Sequence, residues 1–309
     1  MSRYRILSFD GGGLRGVVTA VLLERLQRRF PTLLDDVALM AGTSTGGLIA
    51  LGLRKGLTVA ALRDLYIQRG AEIFSGGLLR RLRSLGKLAG AEYDGEPRAA
   101  VFRDVLGAQT RLADLGGAVM VTAFDLDNQS PDPQQRQWKP KIFHNLPGSD
   151  SDGAVPAWQA AMMTTAAPTY FPSCEGHIDG GVFANNPSMC ALAQTQDARS
   201  GGPVPWPDIR LLAFGTGTPR TFIPGATLDW GYAQWAPKLI DLMMDGVMGI
   251  ADYQCRMMLG DDQYARFAPY FPPGRDVPMD DVGQLPWLRQ WAEQLPLEPL
   301  AARVERFWL

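Results

Sequence analysis

Gly42-Thr43-Ser44-Thr45-Gly46 fits G-x-S-x-G and lies between an apolar strand-like run, Val37 to Ala41, and a helix-like run, Thr45 to Leu53. A serine in that setting sits on a strand-to-helix turn so sharp that small residues are needed on either side, and the turn projects its hydroxyl outward. The start of the following helix also directs free backbone N–H groups at the same spot. A second glycine-rich turn comes earlier. Asp10-Gly11-Gly12-Gly13-Leu14-Arg15-Gly16 joins the buried-strand signal Arg5 to Phe9 to the helical periodicity of Leu14 to Phe30. Strand, turn and helix, twice in succession, predict a parallel sheet with helices on its faces.

The pattern continues in the same sense. Leu57 to Arg69 reads as a further helix, and Ala118 to Leu126 and Pro140 to His144 read as strands separated by a polar turn, Asn128 to Gln137. Val155 to Ala167 is a small-residue helix closed by Pro168, and His177 to Asp179 is a brief strand. Asn186-Pro187 reads as an N-cap with proline at the first helical position. Ile209 to Phe214 is another buried strand, and from about residue 237 to 309 the chain reads as mostly helical. The Met-rich run Leu242 to Leu259 is expected to be core packing. Neither an internal repeat nor a low-complexity linker interrupts residues 1–309, so a single domain is expected, with the motifs inside residues 4–220.

Composition narrows the function classes. The net charge of −2, with both signs well mixed, gives no footprint for nucleic acid. Cys174, Cys190 and Cys255 match neither a disulfide framework nor a zinc pattern, which favours a reducing compartment. Residues Ser2 to Arg5 lead straight into a strand, without the apolar region and cleavage site of a signal peptide, and no apolar run is long enough to span a bilayer. A cytoplasmic location is the resulting expectation. Asp125 to Asn128 faintly resembles a calcium loop, but Ser130 stands where its glycine belongs and Arg136 where its glutamate belongs, so neither metal nor cofactor is expected.

The first glycine loop also contains Gly11-x-Gly13-x-x-Gly16, the dinucleotide fingerprint, and its exposed N–H groups suit a phosphate as well as a developing oxyanion. The fingerprint expects an acidic residue about twenty positions on, at the end of the second strand. Asp35 and Asp36 fall near that distance but precede Val37 to Ala41, and the true end of that strand carries Ser44. A phosphate-binding Walker loop is excluded because Val17 and Val18 stand where lysine and a hydroxyl residue belong. A third element, Asp179-Gly180-Gly181, follows the short strand; by itself an Asp-Gly pair is an ordinary turn.

Taken together, Asp10 to Gly16, Gly42 to Gly46 and Asp179 to Gly181 resemble, in order and spacing, the patatin-like family of lipid acyl hydrolases. Ala166 to Phe171, Asp179 to Pro187 and Leu211 to Gly217 extend the likeness. The resemblance implies a three-layer α/β/α domain with a mostly parallel central sheet, and an active site at the carboxyl ends of the first two strands. It implies Ser44 as nucleophile and Asp179 as its base in a dyad, with the N–H groups of Gly12 and Gly13 as oxyanion hole and Arg15 nearby. Gly11, Gly16, Gly42, Gly46, Gly180 and Gly181 would be the motif glycines. The substrate implied is a phospholipid or related glycerolipid; the alternatives are a general carboxylesterase or thioesterase on the same dyad, or a nucleotide-binding module using the glycine loop.

The histidines agree with a dyad. His144 and His177 are the only two, and neither follows Asp179, whereas an α/β-hydrolase runs serine, acid, histidine. Only one strand precedes the elbow strand, too few for that fold's separate oxyanion strand. His177 is expected to line the site or bond a backbone group. Finally, Ile73 to Leu88 interleaves Phe74, Leu78, Leu79, Leu82, Leu85 and Leu88 with Arg80, Arg81, Arg83 and Lys87, a mixture that suits either peripheral contact with a membrane surface or an ordinary surface helix.

Overall fold

The computed structural model describes residues 3–75 and 90–309. The first strand, β1 (Tyr4–Phe9), is parallel to both its neighbours, β2 (Val37–Thr43) and β6 (Ile209–Phe214). β3 (Ala118–Asp125) extends the sheet in parallel beyond β2, and β7 (Tyr264–Phe267) does so beyond β6. β4 (Lys139–His144) closes the first edge antiparallel to β3, giving the order β4-β3-β2-β1-β6-β7.

Alternation along these strands separates two cores. Leu7, Phe9, Met40, Val119, Val121, Leu212 and Phe214 face one side, packed against Val17, Val18, Val21 and Leu22 of α1 (Gly16–Arg29). Ile6, Leu39, Ala41, Met120, Leu211 and Ala213 face the other, against Leu192, Cys255 and Leu259. Side chains of successive strand residues point to opposite faces, so a strand apolar on both must be covered on both. The result is the expected α/β/α layering over a mostly parallel sheet.

β5 (His177–Asp179) is antiparallel to β3, with Ala123 opposite Asp179, Phe124 opposite Ile178 and Asp125 opposite His177. β2 pairs with β3 only as far as Thr43 opposite Thr122. β5 therefore continues the row that β2 has just left.

Several expectations shift. The glycine loop leads into a 3-10 turn, Gly13–Arg15, before α1 begins. The helix expected from Val155 spans Ala157–Thr164, because Pro156 holds an extended conformation at its cap. The helix after Asn186-Pro187 begins at Ser188, with Pro187 at the cap and the Asn186 side chain accepting from the Ser188 N–H at 3.1 Å. The C-terminal part has helices at Tyr232–Leu259, Leu285–Gln294 and Glu298–Arg303, but also β7, which a four-residue Tyr-Ala-Arg-Phe run with a charge inside it does not announce. The Met-rich run is not simply core: Met243, Met257 and Met258 are exposed, because the 28-residue helix packs along only one side. Of Ile73 to Leu88, residues 76–88 lie outside the described residues. Among the described residues no helix is long and apolar enough to cross a membrane.

Candidate active site

Ser44 occupies the turn between β2 and α2 (Thr45–Lys55), with φ 54° and ψ −123°. A non-glycine residue held there is strained by about 1–3 kcal/mol, and such strain persists only where the surroundings enforce it. They do. A Cβ on Gly42 would lie 2.2 Å from the Gly46 carbonyl oxygen, and one on Gly46 would lie 2.1 Å from that of Phe9. Bare glycines let β1, the turn and α2 close to backbone contact. Thr164 fastens the turn from outside: its Oγ1 accepts from the Ser44 N–H at 2.9 Å and donates to the Thr122 carbonyl at 2.6 Å.

The glycine loop lies alongside. The Gly11 N–H donates to the Asn185 carbonyl at 2.9 Å, and the Gly11 carbonyl accepts from Thr216 Oγ1 at 3.0 Å. A Cβ on Gly12 would meet Thr216 Oγ1 at 2.1 Å, and Gly13, at φ 58°, passes the Met279 carbonyl too closely for a side chain. That same carbonyl accepts from the Leu14 N–H at 2.7 Å. Neither the Gly12 nor the Gly13 N–H donates to an acceptor among the described residues, and both residues line the cavity containing Ser44. Gly16 joins the two turns, since a Cβ there would fall 2.3 Å from Thr45 Oγ1.

The two charged members of the loop serve elsewhere. Asp10 is buried and forms a two-pronged ion pair with Arg266 of β7, with Nη1 to Oδ1 at 2.9 Å and a still closer contact from Nη2 to Oδ2. Burial opposes the Arg266 charge, but the Asp10 carboxylate outweighs it and holds the guanidinium protonated. Arg15 turns its Nε back onto the Gly12 carbonyl at 3.3 Å and lines a neighbouring cavity with Asp241, Asp245 and Asp276. Burial lowers its pKa, and Asp245 is the first of the groups opposing that shift. Arg15 is not among the residues lining the Ser44 cavity.

Asp179 ends β5 and is 3% exposed. Burial raises its pKa to about 6; hydrogen bonds from the Ser44 hydroxyl and the Gly181 N–H, then the charge of Arg98, pull against that rise. The Gly181 bond is 2.7 Å long. Gly180 permits the approach, because a Cβ there would sit 2.2 Å from Thr122 Oγ1. Neither histidine lines the cavity. His177 Nδ1 is 2.6 Å from the Glu175 carbonyl, and buried His144 has Asp150 3.7 Å from its Nε2.

The structure thus gathers Ser44, Asp179, Gly12 and Gly13 around one cavity. Leu48, Ile73, Phe74, Phe102, Phe171 and Met244 make its walls largely apolar. Sequence reasoning passed over Thr164, Asn185, Arg98 and Arg266. A serine-bearing elbow beside a glycine loop on a parallel sheet defines a hydrolase class, and comparison with known proteins narrows it. The family model described as Patatin-like phospholipase matches residues 7–192, and the chain belongs to that family. It is 31% identical over 277 residues to a "cGAMP-activated phospholipase" of Pseudomonas aeruginosa, covering 84% of this chain and 77% of the relative. A protein of the same description from Escherichia coli is 33% identical, covering 69% of this chain and 62% of the relative. "Patatin-like protein 2" of Arabidopsis thaliana is 29% identical over 276 residues, covering 74% and 64%.

Proposed function

We propose that the protein cleaves fatty-acyl esters of glycerolipids, with Ser44 as nucleophile and Asp179 as general base. The observation carrying this reading is that a strained serine shares a largely apolar cavity with a buried carboxylate whose charged form the serine hydroxyl helps to stabilise. Asp179 takes the hydroxyl proton as Ser44 Oγ bonds to the acyl carbon. The carbonyl oxygen becomes an oxyanion facing the unused N–H groups of Gly12 and Gly13. As the C–O bond to the alcohol breaks, Asp179 returns the proton to the leaving oxygen. Water, giving its proton to Asp179, then attacks the acyl-enzyme; as the bond from the acyl carbon to Ser44 Oγ breaks, Asp179 passes that proton to Oγ, releasing the fatty acid and restoring Ser44.

A carboxylic acid of pKa about 6 suits this better than an ordinary one, being ionised at neutral pH yet more basic than an exposed aspartate. The walls of Leu48, Phe74, Phe102 and Phe171 favour a hydrocarbon chain. The basic and apolar sequence from Ile73 to Leu88 is proposed to meet the lipid surface. A fluorophosphonate probe should label Ser44, and purified protein should release fatty acid from phospholipid vesicles. Absence of both would overturn the reading in favour of a binding module. Replacing Arg80, Arg81 and Arg83 with Gln should slow action on anionic vesicles and spare soluble esters; equal vesicle rates would reject the surface contact.

A further inference from the structure

Arg98, on the helix Gly95–Leu106, breaks the apolar character of the Ser44 cavity it lines. Its side chain is 1% exposed. Nη1 donates to the Thr165 carbonyl at 2.5 Å, and the guanidinium carbon lies 4.0 Å from the centre of the Phe171 ring. Phe171 in turn packs against Phe74 and Tyr93. Burial lowers the Arg98 pKa to about 10, which leaves the group cationic at neutral pH. Nε and Nη2 are buried and have no hydrogen-bond acceptor among the described residues.

Those two atoms form one edge of the planar guanidinium. That edge is a fork whose parallel N–H groups match both oxygens of a carboxylate. A buried cation with such a fork unused is costly, and a plain hydrocarbon chain would leave it unused. A carboxylate carried into the cavity on the acyl chain would satisfy the charge and both donors together. The aromatic walls of Phe74, Phe102 and Phe171 beside Arg98 make this the side suited to the acyl chain.

We propose that Arg98 forms a carboxylate-binding subsite in the acyl pocket, selecting esters whose acyl chain carries a second carboxylate, such as half-esters of dicarboxylic acids and oxidatively truncated acyl chains. The proposal rests on the reading that Ser44 cleaves acyl esters, and its test separates the two. Mono-p-nitrophenyl esters of succinate, glutarate, adipate and suberate are compared with the length-matched monocarboxylate esters. The unmodified protein should favour at least one dicarboxylate by roughly ten- to a hundredfold in kcat/KM, the range of a charge-assisted bidentate contact. Arg98→Met should erase that ratio, and Arg98→Lys, which keeps the charge without the fork, should leave only part of it. Both esters of a pair share the chemistry at Ser44, so a general loss of rate cancels in the ratio. Cleavage of the monocarboxylates with no dicarboxylate favoured overturns the subsite alone, a result that needs no variant to fold. A preference that survives in Arg98→Met also overturns it. Cleavage of no ester in either series overturns the hydrolase reading itself.

Discussion

Thr43 and Asp179 occupy successive places along one edge of β3, Thr43 opposite Thr122 and Asp179 opposite Ala123. At Thr43 the chain turns away into the elbow that carries Ser44, and the next place on the edge goes to β5, running the other way. Two segments distant in sequence are thereby brought together by backbone pairing. Thr122 consolidates the junction, sharing a 2.7 Å hydroxyl contact with Thr43 and leaving room only for glycine at position 180. A juxtaposition fixed by sheet register does not depend on the conformation of a long loop.

On the proposed mechanism, in which the hydroxyl is the nucleophile, Ser44→Ala should abolish ester cleavage and leave the fold intact, because the backbone turn is held by Thr164 and the flanking glycines. Ser44→Gly should be equally inactive but more stable than Ser44→Ala by about 1 kcal/mol or more, since glycine adopts φ 54° without strain. Turnover of p-nitrophenyl esters and thermal unfolding of both variants check this. A well-folded alanine variant with near-normal turnover would sink the assignment.

The raised pKa of Asp179 has two consequences of opposite sign. The proposed mechanism requires the base form, so kcat/KM should rise with pH through an acid limb centred at about 6. Arg98→Met should move that limb upward, because the guanidinium favours the charged carboxylate. For stability, a carboxyl whose folded pKa exceeds its unfolded one favours folding while protonated, a contribution lost as pH rises through the folded value. Asp179→Asn should therefore lose several orders of magnitude in activity yet gain stability over the unmodified protein. The gain should be absent below about pH 4, grow through about pH 6 and level at up to roughly 3 kcal/mol. Denaturant unfolding at pH 4 and pH 8 reads it directly; a deficit at pH 8 would contradict the account.

Asp10→Asn should destabilise the protein by about 3–5 kcal/mol, because it leaves the Arg266 guanidinium buried without its counter-charge. The effect should appear in unfolding before it appears in turnover, since Asp10 holds β7 to the glycine loop without lining the Ser44 cavity. A loss of turnover in a variant of unchanged stability would instead place Asp10 in the chemistry.

The double variant His144→Ala, His177→Ala should retain most activity, as neither ring reaches the cavity. His177 is occupied with the Glu175 carbonyl. Collapse of turnover, with the circular dichroism spectrum unchanged, would show that a histidine acts as the base.

The sequence alone determined the layered sheet, since the alternation of buried strands and amphipathic helices is written into local residue order and needs no distant partner to be read. It determined the elbow as well, because glycines two residues either side of Ser44 are required by contacts within the turn and with the adjoining strand. Four features depended on the tertiary structure. Asp179-Gly180 is an ordinary turn pair until β5 pairs with β3. Asp10 reads as part of a glycine loop until β7, a strand too short and too polar to announce itself, delivers Arg266 to it. Arg15 reads only as a charge near the glycine loop until its side chain is seen bonding the Gly12 carbonyl and sharing a cavity with Asp241, Asp245 and Asp276. Arg98 has the sequence signature of an ordinary surface arginine on an amphipathic helix, and only the tertiary packing stacks its buried guanidinium on Phe171 beside the Ser44 cavity. The physical reason is common to all four. Local pattern records the period of an element and which face is apolar. A side chain's partner is set by long-range register and by what is left unpaired when the layers close.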